Sequence, residues 1–393
     1  MAGLNETPRG NRIHIAFFGL RNAGKSTLVN AFTGQQIAIV SDVPGTTTDP
    51  VSKAMEMLPL GPCLVTDTAG LDDEGELGEM RVAKTLGVLA TTDIAVWVWG
   101  GGDGNTDFMD STDCHELFLG ECRKRGVVVL EYRRGETVEE LKRKIAAVKF
   151  EERMPGLLDG LVKKGDRVLC VVPIDESAPK GRLILPQQQV IRECLDIGAV
   201  CTIGQIDGLG GLERLGGLGS FNLVVTDSQA FGEVDRALRT FQTSKPSKFP
   251  KLTSFSILFA RQKGDLDEFV KGLKAIGSLK DGDTVLVAEG CTHHRQCNDI
   301  GTVKIPKALE KLSGRKLKFE FASGGTFDLL APRREGAAGM VKMVVHCGGC
   351  MLTRREMLRR IARTKEVGVP IVNYGLVLAM ANGIDVQSLI PNP

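Results

Sequence analysis

Apolar positions along this chain gather into short, β-branched runs, each followed by a stretch whose apolar residues recur at helical spacing. That alternation predicts α/β architecture with parallel sheets. Ile13-His-Ile-Ala-Phe-Phe18, Leu64-Val-Thr-Asp67 and Gly126-Val-Val-Val-Leu130 are strands of a first domain, residues 1–160. From about Lys164 the texture changes. Asp166–Val172, Ala199–Thr202 and Phe221–Val225 are strands, Pro186–Leu195 is a helix begun at its proline, and Gly204–Gly219 is a glycine-rich connection, giving a small second domain, 161–245. Lys245-Pro-Ser-Lys-Phe-Pro-Lys251 marks a boundary, and Leu252–Ala260 opens a third domain, 246–393. There, Asp283–Gly290 and Met340–Val345 are buried parallel strands, Arg354–Lys365 is a basic amphipathic helix, and Val369–Gly375 is a further strand ending at the same crevice.

Composition narrows the class. The 393 residues suffice for two or three domains, and 42% apolar content supplies ordinary cores. No run approaches the roughly 18 to 20 apolar residues of a membrane span, and Met1–Gly10 has neither a signal h-region nor an Arg-rich presequence. A cytoplasmic protein is expected, with no membrane role. Fifty basic against 48 acidic residues, net +2, create no long-range field for nucleic acid. Ten cysteines without regular spacing point to reduced thiols rather than a secreted disulfide framework, and Cys170, Cys194 and Cys201, set among aliphatics, are read as small core residues.

The first candidate chemistry follows the first strand. Gly19-Leu-Arg-Asn-Ala-Gly24-Lys25-Ser26-Thr27 is a P-loop in its strand-loop-helix setting. Gly19, Asn22, Ala23, Gly24, Lys25, Ser26 and Thr27 form the phosphate cradle: backbone N–H groups face phosphate oxygens, Lys25 neutralises the β and γ groups, and the Ser26 hydroxyl ligates Mg²⁺. Asp67, at a strand end, holds Mg²⁺ through water, and the Gly70 amide senses the γ-phosphate. The polar loop Ser41–Asp49 supplies Thr46 and Thr47, the latter as a second Mg²⁺ ligand when γ-phosphate is present.

The second lies near the other end. Cys291-Thr-His293-His294 is answered by His346-Cys347-Gly-Gly-Cys350, and each window follows a buried strand, so both open on one crevice. Three of the five histidines and three of the ten cysteines sit in these windows, with Cys297 just behind. Spacing fits a zinc site completed by histidine, and equally an iron-sulfur cluster with a non-cysteine or exchangeable fourth ligand. Tyr374 is assigned to packing.

Gly45-Thr-Thr-Thr-Asp49 and Asp67-Thr-Ala-Gly70 after a P-loop carrying Asn22 resemble the TrmE-Era class of GTPases. The resemblance implies GTP hydrolysis, slow and stimulated by K⁺ held by Asn22 in the part of an arginine finger. One part of that pattern is absent. No Asn-Lys-x-Asp follows the Val127–Leu130 strand; Glu131-Tyr-Arg-Arg134 stands there, and Gly135–Lys142 resembles the later strand-to-helix junction, as if a strand were lost. Weakened guanine selectivity is expected.

The whole arrangement, including Val172–Pro186 between the P-loop domain and the Cys-x-His and His-Cys-x-x-Cys windows, resembles the HydF family of FeFe-hydrogenase maturation GTPases. The resemblance implies a dimerisation domain at 161–245 and a 4Fe-4S cluster-binding domain at 246–393, with Cys291, Cys347 and Cys350 as ligands and His293 or His346 near the fourth position. It further implies a homodimer that carries a diiron precursor between radical-SAM maturases and apo-hydrogenase. The alternative is a regulatory GTPase with a structural zinc site and no cargo.

Overall fold

A computed structural model describes residues 7–36, 50–71, 85, 87–100, 108–133, 135–150, 154–173, 183–208, 217–244, 250–290, 299–324, 327 and 340–386. They form two compact units, 1–153 and 154–393.

In the first unit, β1 (Ile13–Phe18), β2 (Val51–Met57), β3 (Gly61–Asp67), β4 (Ile94–Val98) and β5 (Val128–Tyr132) make one sheet in the order β2-β3-β1-β4-β5. Only β2 runs antiparallel. Alternation along β1 serves two cores. Ile15 and Phe17 pack with Leu28, Val29 and Phe32 of helix Lys25–Thr33 and with Leu141 and Ile145 of helix Val138–Ala146, while Ala16 and Phe18 pack with Trp97, Phe118 and Cys122. Central β1 is apolar apart from His14, and both of its faces are covered.

The second unit holds two four-stranded parallel sheets. β6 (Arg167–Val171), β7 (Val200–Gly204), β8 (Leu223–Thr226) and β9 (Lys251–Ser254) are ordered β7-β6-β8-β9. β10 (Thr284–Glu289), β11 (Lys318–Ser323), β12 (Val341–His346) and β13 (Ile371–Asn373) are ordered β11-β10-β12-β13. One apolar core, including Leu169, Val224, Phe231, Phe269, Val287, Val344 and Val377, runs through both. Helix Phe255–Lys263, buried along most of its length, touches helix Leu185–Ile197 beside the first sheet and helix Arg354–Glu366 beside the second.

Three elements differ from the sequence expectation. The Leu252–Ser254 strand, expected to open the last domain, is β9 and pairs with β8, so it closes the preceding sheet. A composition break at 245–251 marks a connection, not which sheet takes the next strand. The run at Val369–Gly375 is split: β13 ends at Asn373, whose side chain accepts the Gly375 N–H at 2.7 Å and caps helix Tyr374–Ala381. Finally, β11 and helix Ile305–Ser313 complete the second sheet although their charged composition masked them.

Candidate functional site

The P-loop leaves β1 at Phe18 and enters helix Lys25–Thr33, with Asn22 in the left-handed region at φ 58°. Lys25 is 7% exposed, and its Nζ donates to the carbonyls of Gly19 (3.1 Å) and Leu20 (2.6 Å), which fixes the ammonium across the loop mouth. Ser26 Oγ donates to Asp67 Oδ2 at 2.6 Å. Asp67 is fully buried at the end of β3, and its Oδ1 has no hydrogen-bond partner among the described residues. Burial pushes its carboxyl above the ordinary range, against the pull of Ser26 and Lys25. A buried carboxylate oxygen without a donor, next to the Ser26 hydroxyl, fits hydrated Mg²⁺. Ala23 and Gly70 are buried beside the loop, and Asn22 and Thr27 are exposed. Thr46 and Thr47 lie outside the described residues.

At the expected base-reading position the carboxylate is already engaged. Glu131 Oε2 accepts from Trp99 Nε1 at 3.0 Å and from Arg133 Nη2 at 2.8 Å, and the Arg133 guanidinium lies 5.4 Å from the centre of the Trp99 ring. Among the described residues β5 is the sheet edge, and the chain runs from it into helix Val138–Ala146 through a capping box in which Thr137 and Glu140 satisfy each other.

In the second unit, β10 and β12 are neighbours, with Ala288 opposite His346, so their ends lie side by side. Gly290 N–H, the last donor before Cys291, points at Cys347 Sγ (3.2 Å), and the Gly349 N–H does the same (3.4 Å). Gly349 has φ 66°, and a Cβ there would run into the Met357 methyl, so only glycine makes this turn toward sulfur. Cys347 and Cys350 are half-buried. Burial pushes the Cys347 thiol up to about 11, aided by Cys350 and opposed by the two N–H groups. Beneath them Lys263, fully buried, donates to the carbonyls of Cys350 (2.8 Å) and Leu352 (2.7 Å). Burial lowers its ammonium to about 8, and the neighbouring Cys350 and Cys347 sulfurs draw it back up. N–H donors aimed at sulfur and a buried cation under two thiols fit a thiolate-held metal group, because thiols must lose protons to ligate. Cys291, His293, His294 and Cys297 lie outside the described residues.

His346, beside Cys347, is engaged within the chain. Its ring is fully buried, Nδ1 lies 2.8 Å from the Cys347 carbonyl, and Nε2 lies 3.0 Å from Arg360 Nη1. A guanidinium can only donate, so Nε2 accepts and Nδ1 carries the proton. Arg360 continues to Glu356 Oε1 (2.9 Å) and the Gly324 carbonyl, tying helix Arg354–Glu366 to the sheet. Burial alone would raise the Glu356 carboxyl; Arg359 and Arg360 hold it below its ordinary value.

A family model described as the hydrogen maturase F dimerization domain matches residues 157–264, and one for the hydrogen maturase F tetramerization domain matches 267–391. Together they cover more than half of the sequence. The chain belongs to the hydrogen maturase F family. A third model, the 50S ribosome-binding GTPase, matches residues 14–130 of this family member and supplies its GTPase domain. Among curated relatives, GTPase Der of Xylella fastidiosa (strain M23) is 38% identical over 152 residues, 36% of this chain and 32% of that protein. The tRNA modification GTPase MnmE of Endomicrobium trichonymphae is 34% identical over 115 residues, 29% of this chain and 24% of that protein. The chain thus spans about a third or less of these relatives' length. A solved structure of Era from Aquifex aeolicus is 14% identical and covers 79% of this chain and 93% of that one, with a TM-score of 0.26. The family carries a tetramerization domain besides the dimerization domain, which extends the dimer expected from sequence, and its match does not favour the zinc-site alternative. Among the described residues no helix is long and apolar enough to cross a membrane.

Lys263 and Arg360 escaped the sequence reading. Lys263 ends an ordinary Ala-Arg-Gln-Lys segment, and its only signal is a position one turn after Phe259, on the helix that begins with the apolar Phe255 and Ile257–Ala260 positions. Arg360 is one of several arginines in a basic helix, with nothing local to single it out.

Proposed function

We propose that this hydrogen maturase F family member is a GTP-hydrolysing scaffold that carries the diiron precursor of the FeFe-hydrogenase active site on a 4Fe-4S cluster held by Cys291, Cys347 and Cys350. The observation that carries the reading is the seat under Cys347 and Cys350: Lys263, buried and donating to the Cys350 and Leu352 carbonyls, with two N–H groups turned onto Cys347 Sγ. A buried cation costs several kcal/mol unless negative charge lies near it, and thiolates ligating iron supply that charge. His293 is the candidate for the fourth position. The cluster, when bound, offers one iron whose ligand can be exchanged. This chain's own residues do the rest: Lys263 and the Gly290 and Gly349 amides hold the sulfurs, and the Arg360-His346 pair fixes the strand end that presents them.

In the first unit, Lys25, Ser26 and Asp67 position phosphates and Mg²⁺, Thr47 completes the metal's ligands, and Asn22 holds K⁺ against charge developing on the γ-phosphate. Hydrolysis is slow and biases docking or release of the apo-hydrogenase and the radical-SAM maturases. Guanine selectivity is weak because Glu131 is paired with Trp99 and Arg133. The test is activation of apo-hydrogenase by purified maturases. Cys347→Ser should abolish activation while GTP turnover persists; activation at the wild-type level by that variant would end the carrier reading.

A further inference from the structure

Three cysteines that the proposed function does not use meet in the first sheet of the second unit. Cys170 lies on β6, Cys201 on edge strand β7, and Cys194 on helix Leu185–Ile197. Val168 is opposite Cys201 and Ile203 opposite Cys170, so the two strand cysteines are diagonal neighbours on one face of the sheet. Their sulfurs are 3.7 Å apart, and Cys194 also bonds Cys201. Cys170 and Cys194 are fully buried, whereas Cys201 is half-buried.

Packing would account for three small apolar residues, but it does not account for one sulfur at the centre of two thiol contacts with a path to solvent. Nor is the trio a metal centre, since among the described residues no three Cys, His, Asp or Glu side chains are arranged to hold an ion. What the arrangement does support is nucleophilic sulfur chemistry. Cys201 is the thiol in contact with both Cys170 and Cys194; those contacts pull it below the ordinary thiol range, whereas the bond to Cys201 and burial push both partners up. The thiolate is the reactive form.

We propose that Cys201 is a peroxide-reactive site and that Cys170 is its resolving partner, giving a Cys170–Cys201 disulfide between neighbouring strands. The Cys201 thiolate attacks one oxygen of hydrogen peroxide, the O–O bond breaks, and with a proton from solvent one water leaves, so Cys201 becomes a sulfenic acid. The Cys170 sulfur then attacks the Cys201 sulfur, the S–O bond breaks, and hydroxide departs with the Cys170 proton as a second water. Two thiols are oxidised by two electrons, and one peroxide is reduced to two waters. Closing 3.7 Å to the roughly 2.05 Å of a disulfide needs about 1.7 Å of approach, and for a diagonal pair that includes movement of edge strand β7.

The full-length protein is treated with hydrogen peroxide, alkylated and digested with trypsin. Cys170 falls in peptide Val168–Lys180, and Cys194 and Cys201 share peptide Glu193–Arg214, so mass distinguishes a cross-link to Cys170 from a bond within Glu193–Arg214, and fragmentation tells Cys201 from Cys194. The expected product is a cross-link between the two peptides. Cys170→Ala should replace it with a dimedone-trapped sulfenic acid on Cys201, and Cys194→Ala should slow Cys201 oxidation roughly tenfold while leaving the cross-link. A bond confined to Glu193–Arg214, or Cys201 that oxidises no faster than buried Cys63 and Cys122, would overturn the proposal.

Discussion

Several polar groups in this protein are held by a single neighbour. Arg360 Nη1 donates to His346 Nε2, and Arg360 shares Glu356 with Arg359. Arg360→Met should therefore destabilise the second unit by about 3 kcal/mol, because removing one member of a buried charged pair strands the rest. Urea unfolding checks this, and a change below about 0.5 kcal/mol would refute it. In the first unit, burial holds the His14 imidazole below its ordinary value, while its Nε2 lies 3.0 Å from the Arg9 carbonyl. The folded state therefore resists a proton that the unfolded chain accepts below about 6.5, and stability falls as pH drops through that value. His14→Gln, which keeps a donor but cannot titrate, should flatten the decline in melting temperature between about pH 7.5 and 5.5.

At the scale of elements, close approach decides more than propensity. Gly272, in helix Leu266–Ala275, faces β13 so closely that a Cβ would run into the Ile371 carbonyl. Gly272→Ala removes the usual helix penalty for glycine, yet it should cost about 2 kcal/mol because the helix must lift from the strand. An unchanged or raised melting temperature would contradict this. The sequence revealed the strands that matter most for chemistry: β1, β10 and β12 are mostly apolar runs, interrupted by single polar residues such as His14 and Lys342, that end in a P-loop or a cysteine window. Their partners were harder to find. β11, Lys-Phe-Glu-Phe-Ala-Ser, is a half-exposed edge whose polar-apolar alternation is short and lacks the long apolar run that marks the central strands, and β9 follows a boundary signal that says nothing about its pairing. The P-loop roles were legible because spacing alone dictates them. The roles of His346 and Lys263 were not, since a ligand-like histidine and a surface-like lysine exchange character only once a helix from elsewhere in the chain packs over them.

For the whole molecule, the family's dimerization and tetramerization domains imply that the protein works as an oligomer, and light scattering should give two or four times the single-chain mass. The nucleotide and cysteine sites belong to different compact units, so they should fail separately. Lys25→Ala should abolish GTP turnover without changing iron content. If the sulfurs above Lys263 hold iron, anaerobic reconstitution followed by iron and sulfide analysis should find about four of each per wild-type chain and a near-complete loss in Cys347→Ser. Wild-type protein that stays iron-free, or a variant that loads equally well, would contradict it.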